Sequence, residues 1–134
     1  SQASTSLLIL PLPPVSLTTL SANSSFLVNG FYFVTDSNDA NFGCGIGFDI
    51  STDGGSSVTV IEMPAHHSEY MAGGSDSYNT PTLQVFLQSQ TYPAGTTILF
   101  RLLGKFNNSN AKSFAGNGLG TYRNQGLTIQ EIRA

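Results

Sequence analysis

The residue types best suited to bind a metal or a small ligand are concentrated in one segment, residues 64–81. This segment holds both histidines of the chain, His66 and His67, followed by Glu69. In an extended chain His67 and Glu69 would share one face and His66 would point to the other. Imidazole and carboxylate groups are zinc ligands, but two of them are too few for a site. We therefore predict no bound metal unless a threefold axis brings three copies of one histidine together.

The same segment suits the recognition of a sugar or another polar ligand. Aromatic rings offer apolar faces, whereas carboxylate and amide groups give directed hydrogen bonds. A second run near the C terminus adds Arg123, whose guanidinium can hold a carboxylate or phosphate through two hydrogen bonds. An ordinary solvated loop or a subunit contact is the competing interpretation of both stretches. The candidate ligand-binding residues are His66, His67, Glu69, Tyr70, Asp76, Tyr78, Tyr122, Arg123 and Asn124.

Signatures of an enzyme or of a cofactor site are absent from the sequence. No Gly-x-Ser-x-Gly elbow occurs, and the glycine-rich run 116–120 lacks the strand-to-helix context of a dinucleotide site. A pair of carboxylates for glycoside hydrolysis depends on spacing in three dimensions, which the sequence does not give. We predict a non-enzymatic protein without a cofactor.

Composition places the chain among single-domain surface proteins. Only 10% of its 134 residues are charged, against roughly 25% in typical soluble proteins. A net charge of -3 offers no basic footprint for nucleic acid, and no apolar run is long enough to insert in a membrane. Cys44 is the single cysteine, so no disulfide can form within the chain. It lies in the apolar row of the stretch 42–50, and we therefore expect it to pack in the core. We predict a flexible linker over 1–6, one domain over 7–134 and an extracellular or virion-surface location.

The stretch 42–50 shows the clearest structural pattern in the chain. Large apolar side chains occupy alternate positions, and Gly43, Gly45, Gly47 and Asp49 occupy the positions between them. A period of two is typical of a β-strand. Glycine weakens a strand unless something packs closely against the bare backbone. We therefore expect this strand to have an apolar core on one side and a neighbouring loop or subunit on the other.

The remaining apolar segments are also short and are separated by turn residues. Asn29-Gly30 predicts a two-residue hairpin turn, and the prolines of 11–14 place the preceding segment on a sheet edge. Residues 64–81 are expected to be one long irregular loop. Apolar residues on both faces of the segments 57–63 and 96–103 favour an oligomer. The predicted strands cover 7–10, 15–20, 31–35, 42–50, 57–63, 82–89, 96–103 and 126–133, which indicates an all-β, antiparallel β-sandwich or jelly roll of about eight strands.

Charge is distributed unevenly along the chain. The five basic residues begin at Arg101, whereas seven of the eight acidic residues precede it. This order favours contacts between the basic C-terminal third and the acidic first part, within one subunit or between subunits. Random drift in a sparsely charged sequence is the competing interpretation.

The chain resembles two families of trimeric tip domains. The resemblance lies in the run 29–34, Asn-Gly-Phe-Tyr-Phe-Val, and in the closing run 127–132, Leu-Thr-Ile-Gln-Glu-Ile. One family is the C-terminal tip of bacteriophage tail fibres and tail needles. The other is the tumour-necrosis-factor-like jelly-roll knob at the ends of collagen-like surface fibres.

This resemblance implies a homotrimer at the end of a fibre that mediates attachment to a host-surface receptor, a glycan or a protein. No functional residue of either family carries over to a position in this chain. The alternative from another class is a monomeric carbohydrate-binding module of a secreted enzyme.

Overall fold

A computed structural model describes residues 8–10, 12–32, 34–36, 41–70, 77–79, 82–106, 112–114 and 125–134 of the chain. Side chains are described for 9–10, 12–32, 45–61, 82–105 and 125–134. Every regular element in these residues is a strand, and no helix there is long and apolar enough to cross a membrane. In chain order the strands are β1 (Leu8–Ile9), β2 (Val15–Thr18), β3 (Ser25–Phe31), β4 (Val34–Asp36), β5 (Asn41–Ser51), β6 (Thr59–Tyr70), β7 (Ser77–Asn79), β8 (Thr82–Leu87), β9 (Thr97–Phe106), β10 (Lys112–Phe114) and β11 (Gly126–Ile132).

The larger sheet is built around β9. This strand pairs with β5 along one edge and with both β1 and β2 along the other, and β6 closes the far side of β5. All of these pairings are antiparallel. Strand β1 lies at the edge of the sheet, which confirms the prediction for the segment before the prolines.

The second sheet has the order β11-β3-β8 and is also antiparallel. The pairing of β4 with β7 keeps the register of β3 with β8. From Phe31↔Thr82 to Val34↔Asn79 each strand advances by three residues. With β10 on its other side, β4 therefore extends the same strand pairing beyond the interruption at Tyr32.

The hydrophobic core lies between the inner faces of the two sheets. Phe26 of the smaller sheet and Phe48 and Phe100 of the larger one are all fully buried. Their rings form a tilted chain, with centroids 6.0 Å apart for Phe26–Phe100 and 6.3 Å apart for Phe48–Phe100. This arrangement confirms the predicted all-β, antiparallel sandwich. The other buried core residues are Leu10, Val28, Tyr32, Ile46, Ile50, Leu83, Ile98, Leu102 and Leu127.

The prediction of a hairpin turn at Asn29-Gly30 is wrong. Both residues lie inside β3, where they pair with β8 on one side and β11 on the other. A Cβ atom on Gly30 would lie 2.7 Å from Leu102 Cδ1 of the opposite sheet. Glycine therefore serves here to let the two sheets approach each other, and not to permit a positive φ.

The prediction of an irregular loop from residue 64 onwards is also wrong. Strand β6 continues to Tyr70, because the long β5 provides backbone partners as far as Asn41. Pro64 lies where the register between the two strands breaks. Glu62 pairs with Gly47 and His66 pairs with Gly45, so β6 advances by four residues where β5 advances by two. A bulge of this kind leaves residues outside the ladder, so the missing N–H of proline breaks no pairing.

The outer face of β5 and β9 is covered within the single chain. Gly45, Gly47 and Asp49 are buried, and Leu103, which pairs with Gly47, is only 4% exposed. The predicted packing against the glycine positions of β5 is therefore confirmed, but it needs no second subunit. Among the described side chains, Val58 and Val60 near the start of β6 and Ile9 of β1, which pairs with Leu103, leave apolar surface exposed on this side, at 43%, 47% and 53%.

Candidate functional site

The structure places five of the predicted ligand-binding residues on strands. His66, His67, Glu69 and Tyr70 lie on β6, opposite Gly45, Cys44, Phe42 and Asn41 respectively, and Tyr78 lies on β7 opposite Thr35. The two strands belong to different sheets. Asp76, Tyr122, Arg123 and Asn124 lie outside the described residues, as do the side chains of the other five and of Cys44.

A metal centre is not found in the described part of the chain, where no group of three His, Cys, Asp or Glu side chains is close enough to hold an ion.

One end of the sandwich is formed by three connections, of which the first and the third are joined by hydrogen bonds. They are the turn between β2 and β3, the hairpin between β5 and β6, and the loop between β8 and β9, and together they are called the loop end below. Thr19 is central to the loop end. Its Oγ1 donates to the carbonyl of Pro93 at 2.7 Å and accepts from the N–H of Thr96 at 2.9 Å, and its carbonyl accepts from the N–H of Gly95 at 2.8 Å. Loops held in this way on a rigid scaffold are common positions for binding residues.

Glu131 fastens the C-terminal strand to the loop end. Its position opposite Phe26 places it in the inward row of β11. The carboxylate accepts hydrogen bonds from the N–H of Leu20 at 2.9 Å, from the N–H of Ser21 at 3.3 Å and from Ser24 Oγ at 2.7 Å. Partial burial opposes ionisation, but these hydrogen bonds outweigh it and hold the pKa of Glu131 below its usual value.

Glu131 was not among the predicted site residues. The signal that identifies it is the interruption of an inward row, because Leu127 and Ile129 precede it at alternate positions. An acid in such a row needs polar partners from a neighbouring loop.

We expect Glu131→Gln to lower the thermal stability at neutral pH, because an amide is a weaker acceptor for three donors than a carboxylate. The folded-state pKa of Glu131 is lowered, so its stabilisation is complete above the unfolded value of about 4.3 and is lost as the pH falls through the folded value. Thermal unfolding followed by circular dichroism should therefore show a difference in Tm that narrows in acid. Gln88→Glu, at an exposed position just after β8, is the control. A difference in Tm that is independent of pH would contradict this role.

The hairpin between β5 and β6 is held by hydrogen bonds within its own turn. Ser51 Oγ donates to Asp53 Oδ1 at 2.7 Å and accepts from the N–H of Gly55 at 2.8 Å. Hydrogen bonds from the backbone of Ser57, from Ser51 and from the Ser57 hydroxyl lower the pKa of Asp53 to about 2. Gly54 and Gly55 adopt positive φ values of 72° and 96°, which glycine allows without strain.

A cleft of about 220 Å³ lies at the loop end, between this hairpin and Tyr92. Its hydroxyl-bearing walls come from the end of β5, from the turn and from the start of β6, and its apolar walls come from Ile50, Val58 and the ring of Tyr92. The complete lining is Ile50, Ser51, Thr52, Ser57, Val58, Thr59 and Tyr92. None of these residues was a predicted site residue.

The outer face of the β11-β3-β8 sheet carries no charged residue. We call it the uncharged face. On the edge strand β8 Phe86 is 54% exposed beside the half-buried Leu27 of the central strand β3, and Ile132 at the end of β11 is 40% exposed. Gln84 Nε2 donates to Asn29 Oδ1 at 3.0 Å in the next row. The positions of the uncharged face are Ser25, Leu27, Asn29, Phe31, Thr82, Gln84, Phe86, Gly126, Thr128, Gln130 and Ile132.

Comparison of the chain with protein-family models, with characterised proteins and with solved structures gave no match. Function is therefore inferred from the cleft at the loop end and from the uncharged face.

Proposed function

We propose that this chain is a non-enzymatic attachment domain that forms a homotrimer at the tip of a virion or cell-surface fibre. In this proposal the sandwich has the jelly-roll topology of the tumour-necrosis-factor-like knobs and binds a host-surface receptor, a glycan or a protein. The observation that carries the proposal is the uncharged face, on which Phe86 is exposed beside Leu27.

The composition of the uncharged face is that of an interface and not of a solvated surface. Interface cores are depleted of charged residues and enriched in aromatic ones, and exposed apolar patches commonly mark protein–protein contacts. All 11 positions of this face are uncharged. The outer face of the larger sheet differs, because Asp49 and Arg101 form an ion pair there.

A second copy of the chain is the partner that suits this face. No charge on it repels an identical surface, although the chain as a whole carries a net charge of -3. The amide pair Gln84–Asn29 lies beside the apolar pair Phe86–Leu27 and offers further donors and acceptors. We therefore place the subunit contact here and not on the outer face of β5 and β9, which the chain itself covers.

The described carboxylates support a non-enzymatic role. Asp49 is paired with Arg101, Asp53 accepts hydrogen bonds within its own turn, and Glu131 holds the loop end. Each therefore has a structural contact that accounts for its position. A catalytic acid or base is instead expected at a cleft and within reach of a substrate atom.

Light scattering of the purified chain over a range of concentrations tests the proposed assembly. We expect a mass three times the chain mass of 14.2 kDa. A mass equal to that of one chain at micromolar concentration would overturn the trimer.

The cleft at the loop end favours a second candidate, a monomeric carbohydrate-binding module. A polar cleft with one aromatic wall suits a sugar whether or not the domain assembles. Glycan binding by a protein that remains monomeric in the light-scattering experiment would favour this candidate over the fibre tip.

A further inference from the structure

We propose that the cleft between the β5–β6 hairpin and Tyr92 binds one ring of a neutral saccharide. This inference rests on the proposed attachment function and deepens it, because it names the class of receptor and the surface that receives it. The site differs from the one that sequence analysis predicted on residues 64–81 and 122–124.

The apolar side of the cleft is fixed before any ligand arrives. The Tyr92 ring packs against Phe26 with centroids 6.3 Å apart and planes at 59°, so its inner part is anchored on the core. The carbonyl of Tyr92 accepts the N–H of Asn23 at 3.1 Å, which holds the backbone as well. Val58 adds an aliphatic surface that is 43% exposed. Such surfaces match the C–H face of a sugar ring, and a rigid aromatic group loses little entropy on binding.

The polar side of the cleft supplies hydroxyl groups that the protein does not use. Within the described residues the hydroxyls of Thr52 and Thr59 have no hydrogen-bond partner, and both residues are exposed in the cleft wall. Ser51 Oγ is different, because it is engaged by Asp53 and Gly55. A threonine hydroxyl both donates and accepts, which is what the hydroxyl groups of a saccharide require.

The charges around the cleft favour a neutral ligand. None of the lining residues is cationic. The carboxylate of Asp53 is part of the same turn and stays ionised, since its hydrogen bonds lower its pKa to about 2. The guanidinium of Arg101, on the neighbouring strand β9, is bound to Asp49 of β5. A sialic acid or a phosphate would therefore meet a negative charge without a compensating cation.

The size of the cleft limits what it can hold. Its volume of about 220 Å³ is below the roughly 300–1,000 Å³ of pockets that enclose drug-sized ligands. One sugar ring with the remainder of the chain in solvent is the form of ligand that this volume suits.

Nuclear magnetic resonance titration of the assigned full chain tests the site. The probes are the methyl glycosides of glucose, galactose, mannose and N-acetylglucosamine, with the methyl glycoside of sialic acid as the anionic probe. We expect at least one neutral glycoside to give saturable shifts at Thr52, Val58, Thr59 and Tyr92, and the sialic acid glycoside to give none there. Shifts confined to other residues, or seen with the anionic probe alone, would overturn the inference.

Variants then identify the contacts. Thr59→Val and Thr52→Val each remove one hydroxyl at an exposed position, so the fold is retained, and we expect each to weaken binding roughly tenfold, the effect of about one lost hydrogen bond. Tyr92→Ala should weaken it further. Ser16→Ala, which removes one exposed hydroxyl on β2 outside the cleft, is the control and should leave binding unchanged. Equal affinity in the wild type and both cleft threonine variants would contradict the assignment.

Failure of the cleft and failure of the proposed assembly give different results. A trimer in which no neutral glycoside shifts the cleft would overturn the saccharide site and leave a protein receptor for the proposed tip domain. A monomer that binds a neutral glycoside in the cleft would confirm the site and overturn the trimer.

Discussion

Replacement of Arg101 by methionine is expected to cost about 3 kcal/mol of unfolding free energy, the lower end of the range for breaking a buried ion pair. Arg101 Nε donates to Asp49 Oδ1 at 2.9 Å and its Nη2 donates to Oδ2 at 2.6 Å, a two-point contact between paired positions of β5 and β9. The Asp49 side chain is only 4% exposed. Without the guanidinium, the buried carboxylate of Asp49 would lose both of these charge-assisted hydrogen bonds.

The two partners should respond differently to substitution. The Arg101 side chain is 22% exposed, so in Asp49→Asn the guanidinium can still reach water, and we expect this variant to lose less stability than Arg101→Met. The double variant Asp49→Leu/Arg101→Met should recover much of the loss, since two apolar side chains leave no buried charge. Urea denaturation followed by fluorescence or circular dichroism gives the three free energies. An Arg101→Met variant within about 0.5 kcal/mol of the wild type, the usual range for a surface substitution, would show that water already screens the pair.

The order of charges along the chain predicted contacts of this kind, and the Asp49–Arg101 pair is one of them. Which acid meets which base could not be predicted, because the pairing depends on the register between β5 and β9. That register is set by the apolar rows, which place Phe48 and Ile50 opposite Leu102 and Phe100. The position of the ion pair is therefore a consequence of core packing.

Strands were predictable where the alternation of side chains is strong. The stretch 42–50 lies within β5, and the alternation of Leu83, Val85 and Leu87 matches the inward row of β8. Local turn preference failed at Asn29-Gly30, because pairing with strands on both sides outweighed it. It failed again after Pro64, where β5 offered partners that only the folded chain brings near.

The cleft was not predictable from the sequence for a different reason. Serine and threonine are frequent throughout this chain, so Thr52 and Thr59 carry no distinguishing signal. Tyr92 stands before Pro93, with Gly95 close behind, a pattern typical of an ordinary turn. These residues are brought together by the closure of the β5–β6 hairpin and by the hydrogen bonds of Thr19 with the loop before β9. The sequence shows the two turns but not that they meet.

Phe86→Lys is the substitution expected to have the largest effect on assembly. The ring is 54% exposed on the uncharged face, beside Leu27. In the proposed trimer, lysine at this position would place a charge in the buried contact and remove the aromatic group. Truncation of an aromatic anchor of an interface costs about 2 kcal/mol or more, so we expect at least a roughly 30-fold weaker association. Because the ring is exposed in one chain, circular dichroism should show that the variant keeps its fold.

Val60→Lys is the matched control for this experiment. Val60 is 47% exposed on the outer face of the larger sheet, so the same charge is added at a similar exposed apolar position away from the uncharged face. Sedimentation velocity of the wild type and both variants at equal concentration should show the trimer in the wild type and in Val60→Lys, and a monomer in Phe86→Lys. A trimer that persists in Phe86→Lys while Val60→Lys dissociates would contradict the uncharged face as the subunit contact. That result would place the contact beside β6, at the exposed apolar surface around Val58 and Val60.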